Sequence, residues 1–362
     1  MLESRPMATD VIIPRAAALF DGAVRLIDPI KDPDWNSRLG GQPSASVFHG
    51  ADWARVLQGA YGFRPFYLVC DDTRSVLPIM EVDSWLTGRR GVSLPFADEC
   101  APICREGASW ERLWREALGH AEVRGWRYLE CRGGRALFRN APASTAFHGH
   151  RLVLDGNPRS RFARMNGSVR RAVRKAEQGG LSIEFSQNID AVRVFYRLHC
   201  RTRKRHGSPP QPFGFFRQLH RHLLSKDLGW VALAWHSRTP VAGAIFFRSA
   251  KTAVYKYAAS NEAWQHLRPS NLILWEAINS FALQGFEELD FGRTSLDNEG
   301  LRRFKLGWGA KECRIEYVRY DLRSRAFVTA QDRASAWHTR VFQVLPMIFS
   351  KMAGAVLYRH MA

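Results

Sequence analysis

Lys305 lies in the run Arg302-Arg-Phe-Lys-Leu-Gly-Trp-Gly309, downstream of Gly285-Phe-Glu-Glu-Leu-Asp-Phe-Gly-Arg-Thr-Ser295. The pattern predicts a buried strand, a glycine-broken turn and a return segment with one cation between two aromatic residues, Phe304 and Trp308. An ammonium held among aromatics beside a strand end suits stabilisation of negative charge that develops during a reaction. The plainer alternative is a surface lysine whose stem lies over Trp308. In the first of these roles Lys305 would favour an anionic transition state over the ground state. Asp98, Glu99 and Asp290 are the candidates for a base, although Asp290 at a strand end is more often structural.

Other chemistries find little support. The sequence has no Gly-x-Ser-x-Gly elbow, Walker loop or dinucleotide fingerprint. Its six cysteines show no Cys-x-x-Cys and no zinc spacing, which predicts reduced thiols and no metal. His148-Gly-His150 and His220-Arg-His222 would suit a metal only on a strand and are expected to be surface histidines. A Gln/Arg-x-x-Gly-x-Gly/Ala turn, whose backbone N–H groups would hold a coenzyme A pyrophosphate, is missing from both halves.

The formal charge is +19 and the pI about 10.3. Such values point to polyanions: nucleic acid, phosphorylated substrates or an anionic membrane surface. A general preference for Arg without a specific partner would give the same balance. Between Arg159 and Arg205 there are 13 Lys or Arg against three acids, so over half the excess charge sits in an eighth of the chain. Guanidinium forks grip phosphate at two points. Aromatic residues of the kind that stack on bases are not interleaved through this cluster, so phosphate recognition is favoured over sequence-reading of nucleic acid.

At 362 residues two domains are expected, and two halves echo each other. Shifting the first half by 160 positions places Ala117 on Ala277, Gly125 on Gly285, Leu129 on Leu289 and Glu130 on Asp290. In each half a helical pattern (Trp110 to Ala121, Asn271 to Ala282) leads into a strand that begins at one of these glycines. Each half reads as helix, strands, helix, strand, a mixed α/β unit with helices covering a sheet. The join falls at Asp155-Gly-Asn-Pro158, a cluster of turn formers. One amphipathic helix is predicted over Ser160 to Gln178, with Phe162, Met165, Val169, Val173 and Ala176 on its apolar face. The N-terminal stretch Met1 to Asp21 lacks the order of a signal peptide. Near the other end, Val341 to Tyr358 is the most apolar stretch, but Gln343, Pro346, Ser350, Lys351 and Gly354 interrupt it, so a membrane span is not expected. Two readings stay open for it: a terminal helix packed on its own domain, or one lying on an anionic bilayer.

These residues resemble the Fem family of peptidyltransferases (FemA, FemB and FemX) and their relatives, which are built from two acetyltransferase-like (GNAT) domains. The resemblance covers about Ser44 to Tyr320 and is strongest after Asn271. It is carried by Asp52-Trp53, Leu77-Pro78-Ile, Ser93-Leu-Pro-Phe96, Arg170-Arg-Ala-Val-Arg-Lys-Ala-Glu, Phe195-Tyr-Arg-Leu-His and Tyr257-Ala-Ala-Ser. Pro269-Ser-Asn-Leu-Ile-Leu-Trp-Glu-Ala-Ile, Asp290-Phe-Gly-Arg and Phe304-Lys-Leu-Gly-Trp-Gly complete it. It implies an α/β fold of two tandem GNAT-like domains with mixed sheets covered by helices. Residues 1–42 would be an N-terminal extension, 43–155 and 156–330 the two domains, and 331–362 a helical tail.

The implied activity is transfer of an aminoacyl or acyl group to an amine of a cell-wall or exopolysaccharide precursor. Alternatives are an acyl-CoA-dependent N-acetyltransferase and a non-catalytic protein that binds a polyanion or membrane. The resemblance assigns catalysis to Phe304 and Lys305, and substrate binding to Arg205, Tyr257, Arg293 and Trp308. It implies no bound cofactor, since aminoacyl-tRNA or acyl-CoA would serve as co-substrate. The expected partners are a phosphorylated or lipid-linked envelope precursor, tRNA and a peripheral membrane contact, from a cytoplasmic location. Two departures bear on the donor. The long helical arm of tRNA-using members has no counterpart, and their Pro-Asn pair is spread over Pro269-Ser270-Asn271.

Overall fold

A computed structural model describes residues 24–71, 73–139, 141–329 and 342–361, so Met1 to Asp21 lies outside the described residues. The first half runs β1 (Val24–Ile27), α1 (Trp35–Leu39), α2 (Ala51–Tyr61), β2 (Arg64–Pro65), β3 (Tyr67–Cys70), β4 (Ser75–Leu77), β5 (Met80–Val82) and β6 (Arg90–Val92), then α3 (Gly107–Val123), β7 (Tyr128–Arg132) and β8 (Thr145–Val153). The second half opens with α4 (Pro158–Arg164), α5 (Gly167–Glu177), β9 (Leu181–Ser186), α6 (Ile189–Arg205) and α7 (Phe213–His222). It continues through β10 (Gly229–His236), β11 (Thr239–Ser249), β12 (Thr252–Ser260), α8 (Pro269–Leu283) and β13 (Glu288–Ser295). It closes with α9 (Glu299–Leu306), β14 (Lys311–Asp321), β15 (Ala326–Val328) and α10 (Met347–Leu357).

Among the described residues β1, β3 and β4 form a small sheet, and the other strands form a 12-stranded mixed sheet. Its order is β2-β5-β6-β7-β14-β8-β13-β12-β11-β10-β9, with β15 on β14. It contains two parallel steps. Gly91 of β6 faces Leu129 of β7, and Ala253 of β12 faces Leu289 of β13. Parallel neighbours need a long crossover, supplied by α3 in one half and α8 in the other. The 160-residue echo therefore maps onto equivalent places. Ala117, Ala277, Leu129 and Leu289 are all fully buried. Gly125 and Gly285 both take left-handed φ (65° and 81°), the conformation that ends a helix and that glycine adopts without strain.

The halves do not stop at their own sheets. β8, from the first half, pairs with β13 of the second, while β14 of the second pairs with β7 of the first. β8 and β14 also pair with each other, so this exchange makes one sheet of two. Successive side chains of a strand face opposite sides. Thus Phe247 of β11 enters the layer under α2, α6 and α7 with Trp53, Phe195 and Phe215, whereas Phe246 enters the layer under α8 with Leu274, Ile278 and Phe281.

The single helix expected over Ser160 to Gln178 is two helices. Asn157 caps α4 through a bond from Ser160 N–H, with Pro158 at its first turn. Met165 is extended (ψ 150°), and Asn166 then caps α5 by accepting from Ser168 N–H. The apolar period runs through the break, so periodicity alone could not reveal it. The local chemistry of Asn166-Gly167 overrides it.

His199 on α6 is buried among Phe195, Phe216 and Tyr257. Burial, with help from the Arg203 charge, pushes its pKa down to about 3. Below pH 6.5 the unfolded chain takes up this proton and the folded one does not, so stability is lost as pH falls towards 3. Denaturant melts at pH 6.5 and 4.5 should differ by about 2 kcal/mol through this residue alone, and His199→Phe should remove that part of the slope.

Candidate active site

The β12–β13 pairing runs only from Thr252/Glu288 to Val254/Asp290. Just past it, β13 has a bulge against β8 between Asp290 and Arg293, where Gly292 takes φ 66°. Bulges re-aim backbone groups and are frequent beside functional sites. Here the bulge turns two carbonyls toward α9. Lys305, 2 % exposed, donates from Nζ to Gly292 O at 2.9 Å and to Arg293 O at 3.1 Å. The ammonium points inward, and the segment that carries it is the last turn of a short helix capped by Asn298.

A carboxylate from the first half completes the cluster. Asp98 Oδ1 lies 2.9 Å from Lys256 Nζ of β12 and 3.7 Å from Arg293 Nε. Its backbone carbonyl accepts from the Tyr317 hydroxyl at 2.6 Å, and that oxygen accepts in turn from Arg293 NH1 at 2.7 Å. Gly292 has to be glycine twice over, since its φ is left-handed and a Cβ there would collide with Asp98 Oδ2. Arg293 is stacked over Phe147, 4.4 Å from the ring centre.

Burial and the close approach of three cations, Lys305, Lys256 and Arg293, to Asp98 and Asp290 set the electrostatics. Burial lowers the Lys305 pKa to about 8 against the opposing pull of Asp98 and Asp290, and Lys256 lowers it further. Burial likewise lowers Lys256 despite Asp98. Asp290 and Glu99 are both raised, chiefly by burial. Asp290 Oδ1 also accepts from Gly292 N–H at 2.7 Å, so it braces the bulge. A lysine that ionises near 8 stabilises an oxyanion when charged, and its neutral fraction grows within the physiological range.

On the other side of α9 lies a groove of about 610 Å³, walled by Ser168, Arg171 and Lys175 of α5, by Arg268 and Asn271 at the start of α8, and by Gly300, Arg303 and Phe304 of α9. Arg268 takes left-handed φ (57°) as the N-cap of the 15-residue α8. Four cationic side chains and the amino end of that helix give the groove a positive field suited to phosphate.

The structure thus joins Lys305, Arg293, Asp98 and Asp290 in one cluster and turns Phe304 the other way, into the groove. Trp308 is fully buried in the core under α8, edge-on to Phe304 at 6.3 Å, and shapes the turn from beneath. Tyr257 packs among Phe215, Phe216 and Phe247 and approaches the cluster through Lys256, whose Nζ lies 5.8 Å from its ring centre. Arg205 ends α6, with its carbonyl accepting from Gln343, and makes no ion pair with a described residue. Sequence reasoning missed Lys256 and Tyr317. A lysine between Tyr255 and Tyr257 in an apolar strand was the available signal for the first.

The histidine expectation needs correction. His148 and His150 lie on β8, an interior strand, and His150 is fully buried. Both face Glu312 at 3.3 Å. Burial, then the Lys305 charge, lowers the His150 pKa to about 4, so it is neutral beside the cluster. Among the described residues no group of three ligands could hold a metal ion.

Residues 163–312 match the family described as acetyltransferase (GNAT) domain. No curated protein matches the sequence. Among solved structures the chain is similar to FemX at TM-score 0.63 and 12% identity, covering 78% of this chain and 94% of that one. It is also similar to the C-terminal domain of a putative lysylphosphatidylglycerol synthetase from Agrobacterium fabrum (TM-score 0.51, 15% identity, 74% and 86% covered). A tandem GNAT protein from the clavulanic acid biosynthesis pathway matches at TM-score 0.50 and 13% identity, with 83% and 98% covered. Residues 163–312 thus match a GNAT acetyltransferase domain model, and the chain as a whole has the mixed α/β fold of FemX and of a tandem GNAT protein.

Proposed function

We propose that this protein is an N-acyltransferase that moves an aminoacyl or acyl group from a phosphate-bearing donor to an amine of a cell-wall or exopolysaccharide precursor, on the cytoplasmic side. The observation that carries the reading is the Lys305 ammonium, fixed by two carbonyls of the β13 bulge and opposed by the Asp98–Lys256 pair. In the reaction the amine nitrogen bonds to the acyl carbon, the ester C–O or thioester C–S bond then breaks, and the proton lost by the amine passes through a carboxylate or water to the departing oxygen or sulfur. Lys305 stabilises the oxyanion formed between those two events. The likeness in fold to FemX supports this assignment.

The groove beside α9 supplies the phosphate site, and both aminoacyl-tRNA and acyl-CoA carry phosphates. Purified protein supplied with charged tRNA, acyl-CoA and amine-bearing precursors should form an amide with one donor class. Replacing Arg171 and Arg303 together by Glu should raise KM for that donor by about ten- to a hundredfold, more at low salt than at high. An unchanged KM would remove the groove from donor binding. Binding of polyanions without turnover by any donor would favour the scaffold reading and overturn the enzymatic one.

A further inference from the structure

α10 packs on the second half with its small residues. Ser350 and Gly354 are buried, and a Cβ on Gly354 would collide with Pro210 O. At the end of α10, Tyr358 contacts Arg203 of α6 through its hydroxyl at 3.2 Å, and the following turn seats His360 against Ser84 (2.8 Å) and Arg90. The large apolar side chains point away from the protein. Ile348 is 67% exposed, Phe349 54%, Met352 63% and Val356 56%. Trp85, 82% exposed, extends the patch where its ring meets His360.

A helix that hides serine and glycine while showing Ile, Phe, Met and Val to the outside has an unmet apolar face, and contiguous apolar patches of this kind mark contact surfaces. The charge around it selects the occupant. From Gln343 to Met361 the chain has no acid, only Lys351, Arg359 and His360. α6 runs against α10, with Lys351 Nζ 5.6 Å from the Tyr196 ring centre, and presents Arg193, Arg197 and Arg201 as an exposed stripe at four-residue spacing. A second copy of this chain would bring the same positive charges together and be repelled. At 11 residues α10 is about 16 Å long, far short of the roughly 30 Å needed to cross a bilayer. Among the described residues no helix is long and apolar enough to cross one.

We infer that α10 and Trp85 form a docking face that inserts into the headgroup boundary of an anionic lipid bilayer, with the α6 arginines held over the lipid phosphates. Apolar side chains in the acyl boundary, a tryptophan at the interface and basic residues above anionic lipid are what such binding requires. This inference stands apart from the acyl chemistry, since its readout is binding.

The test uses the full chain and vesicles of phosphatidylcholine with or without phosphatidylglycerol, followed by co-sedimentation. The wild type should bind the phosphatidylglycerol vesicles and leave phosphatidylcholine alone largely unbound. Ile348→Ser, Phe349→Ser and Met352→Ser combined should reduce binding more than about a hundredfold. These side chains are exposed, so thermal melting should be unchanged. Arg193→Gln, Arg197→Gln and Arg201→Gln should reduce binding on the order of fivefold each. Equal binding to both vesicle types, no binding to either, or wild-type binding by the triple serine variant would overturn the inference. So would a dimer that the triple serine variant dissociates.

Discussion

Lys305→Met is expected to slow transfer by about a hundred- to a thousandfold while the protein stays folded. Methionine keeps the length and apolar character of the stem, so the packing of α9 against β13 persists. What disappears is the ammonium that bonds to the Gly292 and Arg293 carbonyls and faces the Asp98–Lys256 pair. The stability change should be small, about 1 kcal/mol either way. Two carbonyls lose a donor, but a buried charge and its desolvation cost go too. Rate and melting temperature together decide the case. A purely structural lysine would lower the melting temperature and leave kcat per folded molecule intact. The pH profile adds an independent sign. Burial puts the Lys305 pKa at about 8, so its charge is lost as pH rises through that value. If the charged form is the active one, kcat/KM measured with excess donor should fall above pH 8. Lys305→Arg, which stays charged, should lack that limb even if its fork fits the site poorly. A rise through pH 8 would instead make Lys305 a base.

Part of this site could be read from the sequence and part could not, for physical reasons. Lys305 stood out because it is the one cation between two aromatic residues, Phe304 and Trp308, in a run closed by glycines. The tandem repeat was visible because Gly125 and Gly285 end equivalent helices and Leu129 and Leu289 open equivalent buried strands. Those are local requirements, fixed by a few neighbouring residues. The Asp98–Lys256 pair joins residues more than 150 positions apart, and no local pattern encodes it. The exchange of β8 and β14 is equally hidden. A strand shows its own alternation of apolar and polar residues but not which partner it will pair with. His150 was misjudged for the same reason, because a polar residue two positions from another histidine looks solvated until β13 and β14 close over its strand. α10 shows a further limit, since its composition pointed to an apolar helix but only the packing of Ser350 and Gly354 reveals that its large side chains face outward.

The exchanged strands also decide where the fold is most easily broken, and Glu130→Ala should cost about 3–5 kcal/mol. Glu130 is buried on β7 and accepts from Arg132 Nε at 3.1 Å on its own strand and from Arg319 NH2 at 2.6 Å on β14. Burial alone would raise its pKa, but the two guanidinium groups outweigh it and hold the carboxyl below its ordinary value. Alanine would leave Arg132, itself buried, and Arg319 facing each other without a counter-charge at the seam where the second half joins the first. The cost is therefore mainly that of two uncompensated charges, which the lost ion pair itself only partly represents. Denaturant unfolding should show it as a lower midpoint. In the wild type this contribution is present above the ordinary glutamate range and is lost as pH falls through the lowered folded value, whereas Glu130→Ala lacks that slope. Glu130→Met combined with Arg132→Met and Arg319→Met removes these three charges at once and should recover much of the loss. If the triple variant were as unstable as the single one, packing rather than charge would be what Glu130 contributes to the seam.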